Sequence, residues 1–212
     1  MFDFCSMRVL IVASTDKEIA PFTEAHPGVD YLITGVGTAS TLYHLTKQLA
    51  VHSYQCVVQA GIAGNAAGFH PEGGVVAVER DRFAHSGVWE DGTLFTLQEK
   101  GLSENDGWLV NHHRELHRLG LPLADAVTVD LINNHPELLQ QVAEKYGAPI
   151  ESMEGAALHY VCLQEQIPFI QLRAISNTIG DRNKANWKTA EAITRLNHTL
   201  ERVYYILTNG NE

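Results

Sequence analysis

Cysteine is scarce in this sequence and follows no recognisable pattern. Cys5, Cys56 and Cys162 show no C-x-x-C spacing and leave an odd number, which argues against a disulfide framework or a zinc ribbon. Cys162 stands in an apolar segment, and we interpret it as a core residue rather than a nucleophile. The simplest interpretation of this cysteine usage is a reduced, cytoplasmic protein.

Long apolar runs and clusters of basic residues are also missing. No run is long enough to span a bilayer, and the N-terminal sequence MFDFCSM carries an acid and no apolar signal core. Lysine and arginine total 15 against 25 acidic residues, so the formal net charge is −10 and a nucleic acid would be repelled. We therefore expect neither a membrane nor a nucleic-acid partner.

Several catalytic signatures are absent as well. The sequence contains no G-x-S-x-G, no Walker loop and no H-E-x-x-H, which removes the common hydrolase, kinase and zinc-protease interpretations. His113 and His117 stand one helical turn apart without a third ligand, so a solvated helix face is favoured over a metal site. The G-x-G at Gly35–Gly37 lacks the third glycine of a dinucleotide fingerprint, because Ser40 takes that position. We expect no metal and no cofactor.

What remains is an alternation of strand-like and helix-like segments, which is typical of an α/β fold. The 212 residues favour a single domain over 1–212, and residues 1–6 form an extension because the first strand begins near Met7. Two glycine-flanked turns, at Gly35–Gly37 and Gly61–Gly64, each follow a strand and would let the backbone approach a small ligand. The main predicted strands are Arg8–Ala13, Tyr31–Thr34, Cys56–Ala60, Gly74–Phe83, Leu123–Val129 and Ile167–Ile175. The main predicted helices are Thr38–Val51, His135–Tyr146 and Trp187–Leu207.

Polar side chains interrupt the apolar stretch from Ile150 to Gly180. Glu154 stands just before a predicted helix, and Asn177 stands at the end of the strand that follows it. If the sheet is parallel here, both side chains reach the edge where open α/β sheets bind ligands. Arg173 lies inside the apolar strand, where a charge needs a partner or serves chemistry.

Two further residues allow two interpretations each. Glu18, in the first turn of the first predicted helix, either favours the helix dipole or directs a carboxylate to the edge of the first strand. The sequence alone favours the dipole interpretation. Trp187 is equally compatible with packing of the last helix and with an aromatic wall for a planar ligand.

Taken together, Glu18, the turns GVG and GIAG, the junction SMEGAA and the strand end LRAISN resemble the nucleoside phosphorylase and nucleosidase superfamily. The resemblance extends from Val9 to Leu207, and its paired signatures MEGAA and RAISN stand about one helix apart. The segments NTIGDRNKANW and FAHSGVWEDGTLFTL resemble futalosine hydrolases more than the methylthioadenosine-cleaving members of the superfamily.

The resemblance implies a three-layer α/β/α fold around a mixed, partly closed sheet, and a homodimer or higher homo-oligomer. It implies a purine nucleoside substrate whose N-ribosidic bond is hydrolysed by water. Glu18 would then activate the water, Arg173 would help to hold it, and Glu154 would bind the ribose hydroxyls. The other residues expected to bind the substrate are Ile62, Ala63, Gly64, Leu131, Ile132, Met153, Ser176 and Trp187.

Asn177 departs from the adenine-cleaving relatives, which carry an aspartate at the matching position. An amide can donate to a 6-oxo group and accept from a protonated N7, so the residue favours hypoxanthine or guanine over adenine. The mismatch with adenine would give discrimination of roughly a hundredfold or more. Because an amide cannot give up a proton as an aspartate does, the sequence leaves the proton donor for the leaving purine unassigned.

Two alternatives to a nucleosidase stay open at this point. A nucleoside phosphorylase needs cationic or N–H partners for phosphate, and the carboxylate of Glu18 in the water-activating position would repel that anion. A non-catalytic nucleoside-binding protein would bind without turnover, and the joint presence of Glu18, Glu154 and Arg173 argues against it.

Overall fold

The computed structural model describes residues 7–71 and 73–209; the extension expected at residues 1–6 lies outside the described residues. Strands and helices alternate as expected. The strands are β1 (Val9–Ala13), β2 (Asp30–Ile33), β3 (Cys56–Asn65), β4 (Val75–Asp81), β5 (Gly87–Glu90), β6 (Thr93–Thr96), β7 (Leu109–Val110), β8 (Leu123–Thr128), β9 (Ile150–Ser152) and β10 (Phe169–Thr178). The helices are α1 (Asp16–Ala25), α2 (Thr38–Val51), α3 (Glu115–Arg118), α4 (Pro136–Tyr146), α5 (Gly155–Gln164) and α6 (Thr189–Asn209), with a 3-10 turn at Lys184–Asn186.

The main sheet is mixed and closes partly on itself. Its order is β10-β4-β8-β9-β3-β1-β2, and β10 also pairs with β3. The strands from β10 round to β3 therefore form a ring, while β1 and β2 continue from β3 as an open sheet. Strand β3 can serve both parts because it is long: its first half pairs with β1 and its last residues pair with β9. The expected mixed, partly closed sheet is confirmed.

Helices cover both faces of the sheet, which confirms the three layers. Alternate residues of β1 point to opposite sides, so Ile11 packs in the cluster that includes residues of α1 and α6. Leu10 packs in the cluster that includes residues of α2 and α5. A strand covered on both faces has no polar face, which explains the uninterrupted apolar sequence VLIVA. Within the described residues, no helix combines the length and apolarity that crossing a bilayer requires.

The segment Gly61–Gly64 is not the turn that the glycines suggested. Strand β3 runs through it to Asn65, and the segment stays paired with β10. The prediction failed because glycine also occurs inside strands where another group approaches the backbone closely. At Gly61 that group is the side chain of a buried arginine, described below.

Helix α1 contains Pro21, and a side chain from α6 supports the backbone beside it. Asn197 is buried. Its Oδ1 accepts from the backbone N–H of Phe22 at 3.1 Å, and its Nδ2 donates to the carbonyl of Glu18 at 2.9 Å. An uninterrupted helix would pair these two backbone groups with each other, whereas proline disturbs the helix around it. Asn197 thus joins the last helix to the backbone of Glu18.

Replacement of Asn197 by alanine should destabilise the protein by about 2–4 kcal/mol, because it leaves two buried backbone groups without partners. Urea unfolding followed by circular dichroism measures the change. His198→Ala, at the exposed neighbouring position of α6, is the matched control and should change stability by less than about 0.5 kcal/mol. Equal stabilities of the two variants would contradict the bridging role of Asn197.

Candidate active site

A cavity of about 330 Å³ opens where the ring of strands meets helices α1 and α6 and the residue before α5. Of the twelve residues that the sequence assigned to catalysis or substrate binding, all but two line it. The lining members are Glu18, Ile62, Ala63, Gly64, Ile132, Met153, Glu154, Ser176, Asn177 and Trp187. Arg173 lies buried in β10 outside the lining. Leu131 is 62% exposed and is also not part of the lining.

Glu18 both caps helix α1 and faces the cavity. Its Oε2 accepts from the backbone N–H of Thr15 at 2.9 Å and from the hydroxyl of Ser14 at 2.6 Å, which completes a capping box with Thr15. Its Oε1 accepts from the backbone N–H of Ile62 at 3.2 Å. The helix-terminus interpretation and the site interpretation therefore both fit the geometry, and the cap fixes the direction of the carboxylate.

Arg173 is a buried cation in β10, close to the carboxylate of Glu154. It is 1% exposed, its Nη2 donates to Oε1 of Gln59 at 2.5 Å, and its Nη1 lies 3.9 Å from Oε2 of Glu154. A Cβ at position 61 would lie 2.3 Å from Nη1 of Arg173 and 3.2 Å from Oε1 of Glu18. Arg173 and Glu18 can therefore both approach β3 only because residue 61 is a glycine without a side chain.

Glu154 occupies the N-cap position of α5 and is held from the opposite side by the GVG turn. Its Oε1 accepts from the backbone N–H of Gly37 at 3.0 Å. Gly37 has φ +96°, a conformation that side chains disfavour. Burial raises the pKa of Glu154, and Arg173 and the N–H of Gly37 oppose that rise. The GVG motif thus binds a carboxylate of the protein itself.

A buried polar network lies beneath the start of α5. Asp81 accepts from the hydroxyl of Thr128 at 3.0 Å and from Nε2 of Gln171 at 3.1 Å. The hydroxyl of Thr128 accepts in turn from the backbone N–H of Ala156 at 2.7 Å. Burial raises the pKa of Asp81 to about 6, although these hydrogen bonds oppose the rise. Gly155 allows this packing, since a Cβ there would lie 2.1 Å from Oδ2 of Asp81.

Asn177 and Ser176 both reach the cavity because β10 carries a bulge. Ile175 pairs with Ala63 and Asn177 pairs with Gly64, so Ser176 is the extra residue. Without a bulge, neighbouring residues of a strand would face opposite sides. Oδ1 of Asn177 accepts from the hydroxyl of Ser176 at 2.7 Å, and its Nδ2 donates to the carbonyl of Thr178 at 3.0 Å.

The position of Trp187 is compatible with both of its interpretations. Its indole N–H donates to the carbonyl of Asp181 at 2.9 Å, which fixes the loop before α6. The guanidinium of Arg182 lies 5.7 Å from the ring centre. The ring also lines the cavity, so the same residue anchors the loop and forms part of the wall.

The reason for expecting Glu154 and Asn177 at one edge was wrong, although the two residues do line one cavity. Strand β9, which leads to Glu154, is antiparallel to β3, whereas β10 is parallel to it. A single parallel edge therefore cannot bring them together. The closure of the sheet into a ring does so instead, by placing β9 and β10 on either side of the end of β3.

Sequence reasoning missed three contributors to this site: Gln59, the structural role of Gly61, and Glu151. Gln59 had a readable signal, because a glutamine inside the apolar strand CVVQA is buried and needs a partner. The sequence pattern gave no such signal for Glu151. Across the described ranges, no group of three or more histidine, cysteine, aspartate or glutamate side chains could hold a metal ion.

Comparison with known proteins agrees with this architecture. The family model of the phosphorylase superfamily matches residues 28–209, so the chain belongs to that superfamily. It is 32% identical to futalosine hydrolase of Thermus thermophilus over 92% of this chain and 94% of that one. Within the superfamily, the chain belongs to the futalosine hydrolase family.

Two further proteins are similar to this chain, one in sequence and one in structure. A 5′-methylthioadenosine/S-adenosylhomocysteine nucleosidase of Tolumonas auensis is 28% identical over 76% of this chain and 74% of its own length. The native structure of futalosine hydrolase of Helicobacter pylori superposes with a TM-score of 0.78 at 16% identity, covering 93% of this chain and 97% of that chain. The structural similarity supports the assignment of the fold, and the sequence similarity supports the assignment of the family.

Replacement of Gly61 by alanine should destabilise the protein by roughly 1–3 kcal/mol, because the new Cβ displaces the buried guanidinium of Arg173. Thermal and urea unfolding measure the loss. Gly28→Ala is the control, since a Cβ at position 28 meets nothing within 4 Å. A Gly61→Ala protein as stable as the Gly28→Ala protein would show that the guanidinium has free space elsewhere.

Proposed function

We propose that the protein hydrolyses the N-ribosidic bond of futalosine, releasing hypoxanthine and dehypoxanthine futalosine, as a step of menaquinone biosynthesis. The observation that carries the proposal is the convergence of Glu18, Glu154 and Asn177 on one cavity. These three side chains supply what the reaction needs: a base for water, a carboxylate for the sugar and an amide for the purine.

Cleavage of an N-glycosidic bond gives the ribose the character of an oxocarbenium ion. Carboxylates close to the sugar stabilise that developing charge. In the proposed arrangement Glu154 binds the ribose hydroxyls, with Met153 against the sugar, and Glu18 accepts a proton from the attacking water. Arg173 lies beside Glu154 and helps to hold the water and the carboxylates in place. The substrate is a purine nucleoside, and no cofactor enters the proposal.

The base pocket supports a 6-oxopurine over an adenine leaving group. The amide of Asn177 offers a donor to a 6-oxo group, whereas a 6-amino group would meet that donor with another donor. A methylthioadenosine nucleosidase is the second candidate, because a relative of that name is 28% identical to this chain. It ranks second because of the mismatch between Asn177 and a 6-amino group. The identity of residue 177 is the feature that separates the two.

Phosphorolysis is the third candidate, and one observation favours it: Lys17 and Arg182 line the cavity and carry the charge that an anion needs. The position of Glu18 opposes it. Its carboxylate accepts from the N–H of Ile62, so a backbone donor that a phosphate would use already has a partner. Water is therefore the proposed nucleophile.

We also propose that residues 1–212 form one nucleosidase domain that acts in the cytoplasm as a homodimer or higher homo-oligomer. Large apolar side chains on the surface support an association between copies. Phe69, Trp89 and Leu102 are each at least half exposed, and a covering subunit would remove them from water.

Wild-type protein should release hypoxanthine from futalosine in phosphate-free buffer, and should release adenine from methylthioadenosine at least a hundredfold more slowly. Chromatography of the free base measures both rates. Added phosphate should change neither the rate nor the sugar product. Preference for methylthioadenosine would overturn the role of Asn177, and a requirement for phosphate would overturn hydrolysis.

Replacement of Glu18 by glutamine should lower the turnover number by at least about 100-fold while futalosine still binds, because the base for water is lost. Glutamine can still complete the capping box, so the helix should remain intact. Turnover and calorimetric binding are the measurements. Glu24→Gln, at an exposed position of the same helix, is the control. A Glu18→Gln enzyme with normal turnover would remove the water-activating role.

A further inference from the structure

The proposed reaction leaves one proton without a source. A purine departs readily only when one of its ring nitrogens gains a proton. The amide of Asn177 has no acidic proton to give, and its two ends already bond to Ser176 and Thr178. In the proposed reaction Glu18 already serves the attacking water and Glu154 the ribose hydroxyls, and their carboxylates accept from the backbone N–H groups of Ile62 and Gly37 respectively.

Glu151 lies across the cavity floor from Asn177. In the sheet, Glu151 pairs with Gly64 on one side, and Asn177 pairs with Gly64 on the other. Residues directly opposite one another on neighbouring strands project to the same face. Glu151 and Asn177 therefore flank one glycine, and both line the same cavity.

Gly64 keeps the floor between these two side chains bare. A Cβ at that position would lie 3.1 Å from Ile179 and in van der Waals contact, at 3.5 Å, with Nδ2 of Asn177, so a larger residue would press on Ile179 and fill the space beside the amide. The backbones of Glu151 and Asn177 are two strand spacings apart, roughly 10 Å. A glutamate and an asparagine that reach inwards over this distance can meet neighbouring atoms on one edge of a purine, its N7 and its O6.

The carboxyl group of Glu151 is free to act as an acid. Among the described residues no group forms a hydrogen bond with its side chain. Burial raises its pKa to about 7, and the nearby charge of Arg182 opposes the rise. A group with this pKa is partly protonated at neutral pH and can donate a proton efficiently.

We propose that Glu151 is the catalytic acid that protonates N7 of the leaving 6-oxopurine while Asn177 binds its O6. This inference rests on the proposed function and deepens it. The bond between C1′ and N9 breaks, its electron pair passes into the purine, and N7 takes the proton from the Glu151 carboxyl group. Water bonds to C1′ and gives a proton to Glu18. Exchange with solvent then returns Glu151 to its acid form and Glu18 to its base form.

The first test compares Glu151→Gln with wild type on futalosine and on futalosine methylated at N7. On futalosine, the variant should lose about 100-fold or more in turnover, because glutamine cannot supply the proton. The N7-methylated substrate carries its positive charge already and needs no proton, so the variant should turn it over within about threefold of wild type. Equal losses on both substrates would overturn the proposal and leave Glu151 a binding or structural role.

The second test is the pH dependence of kcat/KM on futalosine. It tests the role of Glu151 as the acid even if wild type does not accept the methylated substrate. The active form of Glu151 is protonated, so the wild-type value should fall as pH rises above about 7. The other charged groups lining the cavity are Lys17, Glu18, Glu154, Asp181 and Arg182. Glu151→Gln should lose this alkaline fall, and persistence of the same fall would assign it to one of those groups.

Glu165→Gln, at an exposed position near the end of α5, is the matched control and should keep the wild-type rate and pH profile. Thermal unfolding of all three proteins shows whether the variants are folded. These experiments also distinguish failure of the proposed function from failure of the role of Glu151. If wild type releases no hypoxanthine from futalosine, the proposed function is wrong. If wild type releases it and Glu151→Gln does so equally well, only the role of Glu151 is wrong.

Discussion

The burial of Arg173 is the constraint on which the rest of the site depends. A guanidinium that is almost fully removed from water is stable only with partners at close range, and these are Gln59 and Glu154. The approach of the guanidinium to β3 requires glycine at position 61. One charge inside the sheet therefore determines three features: the glutamine on the neighbouring strand, the glycine at position 61, and the placement of the acid that precedes α5.

The closed part of the sheet converts distant sequence positions into one site. The end of β3 has β9 on one side and β10 on the other, so acids and amides from separate strands meet over a few glycines. Features of the backbone then orient the side chains: a capping box orients Glu18, the GVG turn orients Glu154, and a β-bulge orients Ser176 and Asn177. Each of these backbone features fixes the position of a side chain in the cavity wall, and none of them requires a bound ligand.

Much of this could be predicted from the sequence, and the failures have physical reasons. Apolar strands and helix boundaries were visible locally, so helix α2 was expected at Thr38–Val51 and is found there. Motifs brought Glu18, Glu154 and Asn177 to attention. Pairing between strands is non-local, so neither the antiparallel β9 nor the role of Gly61 inside a strand could be read from spacing. Glu151 stayed hidden because its meaning depends on its partner across Gly64.

The bridge from Asn197 to the backbone of Glu18 has a consequence for the synthesis of the protein. The two residues are 179 positions apart, and the asparagine stands in the last helix. A ribosome therefore exposes the N-terminal helix long before the residue that completes its hydrogen bonding is made. Chains of this kind form such non-local contacts late, so the backbone of α1 beside Pro21 gains these two hydrogen bonds only after α6 has been made.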